Sequence, residues 1–396
     1  MCFESQKGSP SYNDLASRLE TIDKISASKQ ALWKKINLPC VLFFQAVLSR
    51  IIKSKLTKSE IETLKTNSKY KRVIIQDSTI IKLPLRLFKI FSGVANAHTS
   101  VCNARIQGVY DLLSGNFISF SIDSYSKNDL SAAGELELQE GDLVLRDRGY
   151  FTNKEMKRHI DAGANCIYRH KHKTTYLDMI SGKAIDLVKL LKCKAGVDME
   201  VCLNDKYRTR VRLVAIPVSE EIANQRRRKA KKEMKGHNPS AGLLYQMAWT
   251  IFITTIPKKH AGAKKIFLIY SLRWRIEIIF KTWKSYIHFA KVHNVSENQL
   301  RTLLIARFIM IVICSQNIYN PLYHRIKEEY KRIISMVKLI KYLMKNPEKI
   351  KEILSIRANK SESRKSKNLY EALVRYCTYD QRKRSNFHKI VLKALA

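Results

Sequence analysis

GDLVLRDRGYF, residues 141–151, carries a short apolar run, Leu143 to Leu145, that stops two residues before Asp147. Such runs, bounded by turn formers, read as buried strands. Gly149 allows a sharp exit, and Thr152 with Glu155 has the spacing of a capping box opening a helix. Upstream, RVIIQDSTIIKLP (72–84) follows the same plan: Val73, Ile74 and Ile75 favour a strand, Asp77 lies near its end, and Pro84 closes it. Between them, IQGVYDLLSGNFISFSID (106–123) reads as two strands around a Ser114-Gly115-Asn116 turn. The result is strand, hairpin, strand, helix, with a carboxylate at the tip of each outer strand, where the catalytic groups of α/β sheets belong. A lone strand-end aspartate is more often a turn residue; two in matched settings point to a site.

Downstream, YSLRWRIEIIFKTWK (270–284) reads as an amphipathic helix. Tyr270, Arg273, Glu277 and Lys284 fall within roughly 60° of one another at about 100° per residue. Ile269, Leu272, Ile276, Ile279, Phe280 and Trp283 form the apolar stripe beside them. Asp77, Asp147 and Glu277 make three carboxylates, a donor set able to hold two Mg²⁺ ions roughly 3.5–4 Å apart.

The chain has 396 residues, 45% of them hydrophobic, and a net charge of +39 spread along its whole length. That excludes a disordered polymer and points to a polyanionic partner, nucleic acid first. The 8 cysteines include no CxxC pair and read as reduced thiols, which suits the cytosol. No apolar signal core opens the chain, and LLIARFIMIVIC (303–314) with Arg307 inside it reads as a buried helix too short to span a bilayer, so no membrane partner is expected.

Residues 148–276 separate the second aspartate from the glutamate, more than one helix and strand could use. Strand-like stretches there (ANCIYRHKH, MEVCLN, RTRVRLVAIPV) predict a β-rich insertion at about 165–245. His170 and His172 read as a basic solvent-facing strand, without the carboxylate or Cys neighbours of a metal site. QRRRKAKKEMKG (225–236), with Arg226, Arg227 and Arg228, reads either as a solvated helix or loop or as an arm tracking phosphates, and the charge of the chain favours the arm. MAWTIFITTIP (247–257) is a strand with Trp249 at its start.

Residues 1–70 read as short helices capped at Ser11 or Asn13 and at Ser26 or Ser28, then an apolar helix from Cys40 with Pro39 in its first turn. They form either a DNA-reading module or a helical cap on the core. Residues 301–396 are helical, with a polar linker at 359–368 and a role in dimerisation open.

Tyr270-x2-Arg273-x3-Glu277-x6-Lys284, with QDST at Asp77 and DRGYF at Asp147, resembles the bacterial DDE transposases of the insertion sequence 4 family, over roughly residues 70–300. The resemblance implies an α/β fold: an RNase H-like mixed-sheet catalytic core (71–300) interrupted by the β-rich insertion and flanked by N- and C-terminal helical domains. It implies metal-dependent cut-and-paste transposition, with Asp77, Asp147 and Glu277 holding two Mg²⁺ ions, for which Mn²⁺ can substitute. Water cleaves the element end and the freed 3′-hydroxyl forms a hairpin, which is reopened before strand transfer. Tyr270, Arg273 and Lys284 would contact terminal phosphates, and Trp249 and Trp274 would hold a base that has left the stack. The implied partners are double-stranded DNA, as terminal inverted repeats and target, and a second copy in a synaptic complex, in the bacterial cytoplasm at the nucleoid. Two alternatives are an RNase H-like nuclease that never joins and a catalytically inactive DNA-binding derivative. Arg273, Lys284 and the basic insertion disfavour the first, and the three intact acids disfavour the second.

Overall fold

Strand β1, Arg72–Lys82, forms where the branched residues predict it, and Val73, Ile74 and Ile75 are fully buried. The computed structural model describes residues 2, 10–54, 68–93, 101–233, 238–359, 364–380 and 387–395. Two compact units interleave along the sequence: one of Met1–Thr66, Asp77–Lys127 and Arg275–Asn386, the other of Asn67–Gln76, Asn128–Trp274 and Phe387–Ala396. Strand β1 contributes to both.

A mixed sheet has the order β3-β2-β1-β4-β5-β9-β8-β7-β6. In the first unit, β2 (Asn103–Asp111) and β3 (Asn116–Ser124) are the predicted antiparallel hairpin. Gly115 takes φ +69 at its turn, a left-handed conformation that costs glycine little. In the second unit, β4 (Asp142–Arg146) lies parallel to β1, and β5 (Asn165–Arg169) lies parallel to β4. Three parallel strands flanked by an antiparallel hairpin match the RNase H-like expectation.

Strand β5 pairs directly with β4, so it belongs to the central sheet, and the insertion begins after Arg169 rather than at about 165. It supplies β6 (Tyr176–Leu177), β7 (Val197–Leu203) and β8 (Arg210–Pro217), which extend the sheet antiparallel from β9 (Trp249–Thr254).

Helices α1 (Tyr12–Arg18), α2 (Lys29–Lys35) and α3 (Leu38–Lys53) open the first unit, capped by Ser11, Ser28 and Asn37. The second unit carries α4 (Asp129–Ala133), α5 (Asn153–Asp161), α6 (Leu187–Cys193), α7 (Glu220–Glu233), α8 (Ala241–Gln246) and α9 (Ala263–Ser271). The first unit resumes with α10 (Trp274–Tyr286), α11 (Glu297–Val312), α12 (Asn320–Tyr330), α13 (Met336–Lys345), α14 (Glu348–Asn359) and α15 (Arg364–Cys377); α16 (Phe387–Leu395) returns to the second. The predicted linker at 359–368 lies partly outside the described residues, and α15 already starts at Arg364.

Aromatic packing fixes α10 and α11 on the hairpin. Phe120 stacks on Phe308 with centroids 4.4 Å apart, and Phe117 meets Trp283 at 5.0 Å. Gly108 on β2 leaves room for Phe280: a Cβ there would stand 2.9 Å from its ring. The apolar run at 303–314 is longer than its sequence suggests, because α11 passes through a π-helical stretch, Ile313–Tyr319, into α12. The continuous helix Glu297–Tyr330 is long and apolar enough to cross a membrane, but 89% of its most apolar window is buried inside the protein. Arg307 is fully buried within it and donates to the carbonyls of Phe289 (2.9 Å) and Lys291 (2.8 Å). Burial pushes its guanidinium down to about 10.

Candidate active site

The parallel pairing of β1, β4 and β5 ends in one row; β4 and β5 stop there, but β1 runs on to Lys82, so Asp77 stands in mid-strand and not near the strand's end as the sequence predicts. Gln76 on β1 is the register partner of Arg146 on β4, and Arg146 is the partner of Tyr168 on β5. The next residue along each strand is Asp77, Asp147 and Arg169. Arg169 has no local signature in the sequence, because a single arginine in a basic chain does not stand out. Only the register aligns it with the aspartates.

Asp147 immediately precedes a 3-10 turn, Arg148–Tyr150, without capping it through its side chain, and is half-exposed. The Tyr270 hydroxyl donates weakly to the Arg146 carbonyl (3.4 Å) and to Asp147 Oδ1 (3.5 Å). Tyr270 is 5% exposed, with Phe252 against its ring at 4.8 Å. Burial raises its phenol far above the usual range, and Arg273 pulls it back only in part, so it remains a protonated donor at neutral pH. Gly149 does not have the left-handed backbone expected of a sharp exit. It is small because a Cβ there would lie 3.1 Å from Asp129 Oδ2.

Below Asp147, the fully buried Arg146 donates to Glu155 Oε1 (2.6 Å), Tyr168 Oη (3.2 Å) and the Ala133 carbonyl (3.0 Å). Arg158 also holds Glu155, at 2.7 Å. Thr152 accepts from the Glu155 amide at 3.0 Å, but the Glu155 carboxylate is taken by these arginines, so the predicted capping box is one-sided. His159 packs against Tyr168 Oη at 2.9 Å and is held neutral by burial and then by Arg146 and Arg158. His170 is not on a solvent-facing strand, as the sequence suggested; it follows β5, is half-buried, and places Nδ1 2.7 Å from Tyr176 Oη.

The predicted single helix over 270–284 is broken. Helix α9 ends at Ser271, a tight turn bonds Leu272 N to Ile269 O (3.1 Å) and Arg273 N to Tyr270 O (3.0 Å), and α10 starts at Trp274. The apolar stripe stays buried on both sides because the two segments pack on different partners, α9 through Tyr270 on Phe252 and α10 through Trp283 on the hairpin aromatics. Tertiary packing overrides the helical period here. Arg273, 6% exposed, stands at the turn with its guanidinium 5.6 Å over the Tyr270 ring and 5.8 Å over that of Trp274. Trp274 is 57% exposed, whereas Trp249 on β9 is buried.

In the first unit, the Asp77 carboxylate accepts from the Ser78 amide (2.9 Å), and Arg105 donates to the Ser78 hydroxyl (3.2 Å). Glu277 is half-buried in the first turn of α10, where the helix dipole favours an anion. Lys284 reaches back to β1 and donates to the Ile80 carbonyl at 2.9 Å, and burial lowers its pKa. Among the described residues no three His, Cys, Asp or Glu side chains are gathered at metal-binding distance. The donor set Asp77, Asp147 and Glu277 supplies hard carboxylate oxygens, which suit Mg²⁺ or Mn²⁺.

The basic arm is helix α7 as far as Glu233, and residues 234–236 lie outside the described residues. Arg226 turns inward, to the Trp249 carbonyl (2.9 Å) and Thr250 Oγ1 (3.1 Å). Arg227 pairs with Glu220 and donates to the Leu244 carbonyl at 3.2 Å. Arg228 and Lys229 are exposed.

Two kinds of likeness bear on what these residues serve. The transposase for insertion sequence element IS231B of Bacillus thuringiensis subsp. berliner is 28% identical over 80% of this chain and 71% of its own length. The transposase for insertion sequence element IS1151 of Clostridium perfringens is 28% identical over 78% and 70%. Among solved structures, the piggyBac transposase synaptic complex with hairpin DNA covers 98% of this chain and 87% of its own at a TM-score of 0.41 and 8% identity, and no detail of the site is carried across from it. The family described as Transposase DDE domain matches residues 69–313, a span that takes in Asp77, Asp147 and Glu277 and more than half of the chain. The chain belongs to the transposase DDE domain family.

Proposed function

We propose that this chain is the transposase of an insertion sequence of the insertion sequence 4 type, cutting the element's ends and joining them to target DNA. The observation that carries the reading is the family match over Asp77, Asp147 and Glu277, two of which directly follow the last register pair of the parallel strands β1 and β4. These three acids would hold two Mg²⁺ ions, or Mn²⁺, which when bound supply Lewis acidity for water attack and for the departing 3′-oxygen.

The remaining residues bind and orient the DNA. The Tyr270 phenol stays protonated and can donate to a terminal phosphate. Arg273 offers a bidentate fork and Lys284 a point charge. Arg169 adds a cation in the strand-end row. Of the two tryptophans, Trp274 has the exposed face on which a base displaced by hairpin formation can stack, and Trp249 is enclosed in β9. In the arm, Arg228 is exposed, while Arg226 braces the helix against β9 and Arg227 braces it against α8. Cutting two ends in step requires two copies in a synaptic complex, in the cytoplasm at the nucleoid.

The test is to incubate the purified chain with a labelled fragment carrying the flanking inverted repeat, with and without Mg²⁺, and to resolve the products on a denaturing gel. A nick at the element end followed by a hairpin or a joined product is expected. Tight, salt-sensitive binding without cleavage in Mg²⁺ or Mn²⁺ would overturn the reading in favour of an inactive DNA-binding derivative.

A further inference from the structure

We infer that the second unit carries another duplex-DNA contact, at the opposite end of its strands from Asp147, centred on the β7–β8 turn and Arg210. The inference rests on the transposase reading for the identity of the polyanion. A cavity of ≈ 510 Å³ opens there, lined by Lys157, Tyr207, Arg208, Arg210 and Thr254, with Glu200 as its one acid. Thr254 is the register partner of Ile167, and Thr255 N bonds Cys166 O, three residues before Arg169. The floor of the cavity is therefore about 10 Å along the sheet from the row that contains Asp147.

The turn is built to present charge. Asp205 Oδ1 accepts from the amides of Tyr207 (3.1 Å) and Thr209 (3.0 Å), and its other oxygen accepts from Thr209 Oγ1 (2.7 Å). That clamp holds Arg208 at φ 47, a left-handed conformation unfavourable for a residue with a Cβ. Strain kept at an exposed position argues for a task. Arg210 and Arg212, two residues apart in β8, share one face of the strand, and Arg208 stands in the turn before it. Arg212 is buried and committed to Asp198 (2.6 Å) and to the Ile256 and Ala261 carbonyls. Arg208 and Arg210 are exposed, and among the described residues neither has an acidic partner.

Tyr207, 58% exposed, has Lys206 4.6 Å and Lys157 5.8 Å from its ring centroid. Lys206 is exposed, and Lys157 is half-buried and paired with Asp161; cations beside an exposed aromatic face suit a phosphodiester backbone.

The test compares the full chain with the double variant Arg208→Ala/Arg210→Ala and, as a milder change, Lys206→Ala. Binding of a labelled 40-base-pair duplex without the inverted repeat is measured by anisotropy across a salt series, with circular dichroism as the fold control. The slope of log K against log salt should fall in magnitude by about 1.8 for the double variant and about 0.9 for the single one. An unchanged slope in Lys206→Ala and in a folded double variant would overturn the inference. So would polyglutamate competing as well as DNA at equal charge, or inorganic phosphate binding at the cavity with the DNA slope unmoved. Failure of the wild-type chain to nick an element end would count against the proposed function instead, because this binding assay needs no cleavage.

Discussion

Replacing Arg146 with Met tests whether the strand end carrying Asp147 is built on a buried ion pair. The guanidinium is fully buried and bonded to Glu155 Oε1 at 2.6 Å, to Tyr168 Oη and to the Ala133 carbonyl. Removing one partner of a buried pair ordinarily costs about 3–5 kcal/mol, chiefly because the other charge is left uncompensated. Here Arg158 still donates to both Glu155 oxygens, at 2.7 and 3.1 Å, and to the Ala133 carbonyl at 2.9 Å. The loss should therefore lie at the lower end, about 3 kcal/mol. With a urea m-value of roughly 2–3 kcal/mol/M, the unfolding midpoint should fall by about 1–1.5 M. Adding Glu155→Leu should cost less than the sum of the two single changes, because it removes the stranded charge. A midpoint shift below about 0.3 M for Arg146→Met would refute the reasoning, since it would mean that the guanidinium is replaceable by apolar packing.

Other perturbations separate structure from chemistry. Burial, with His172 next to it, pushes His170 down to about 4, so the unfolded chain takes up a proton below about 6.5 that the folded chain refuses until about 4. Stability should fall as pH drops through that window, by up to about 1.4 kcal/mol per unit from this residue, and His170→Gln should flatten the corresponding part of a urea-midpoint-against-pH curve; an unaltered curve would contradict the burial. Arg226→Ala should destabilise the fold by about 1–2 kcal/mol through its lost charged hydrogen bonds, whereas Arg228→Ala should leave thermal unfolding unmoved and lower the salt slope of DNA binding by about 0.9. Equal behaviour of the two arginines in both assays would remove the distinction. Trp274→Ala should reduce hairpin yield by about 5- to 150-fold, the equivalent of one lost base stack of about 1–3 kcal/mol, and normal yield would end the base-holding role.

Much of the strand-end arrangement was readable locally. Branched residues at 73–75, the Ser114-Gly115-Asn116 turn and the apolar run before Asp147 are signals that packing reinforces, so β1, the hairpin and β4 appear where expected. The caps at Ser11 and Ser28 are likewise local chemistry. What failed to show depends on distant partners. The break at Leu272–Arg273 exists because Tyr270 and Trp283 pack on different strands, and a helical period cannot report that. Glu155 looked like half of a capping box because Arg146, nine residues earlier, is invisible as its partner until the strand and helix are folded together. Arg226 looked like part of a free arm, yet its carbonyl acceptor, on Trp249, is 23 residues away. Arg169 gained meaning only from the register that sets it beside Asp147.

The central proposal is that Asp77, Asp147 and Glu277 are all required to hold the metal that cuts the element end. The most direct measurement is the initial rate of end nicking in Mg²⁺ by Asp77→Asn, Asp147→Asn and Glu277→Gln, each shown to be folded by circular dichroism and to bind the same end fragment. Losing a ligand should remove at least about 4 kcal/mol of transition-state stabilisation, a drop of about a thousandfold or more in every case. A folded, DNA-binding variant at any of the three positions that nicks within tenfold of the wild-type rate would contradict the assignment.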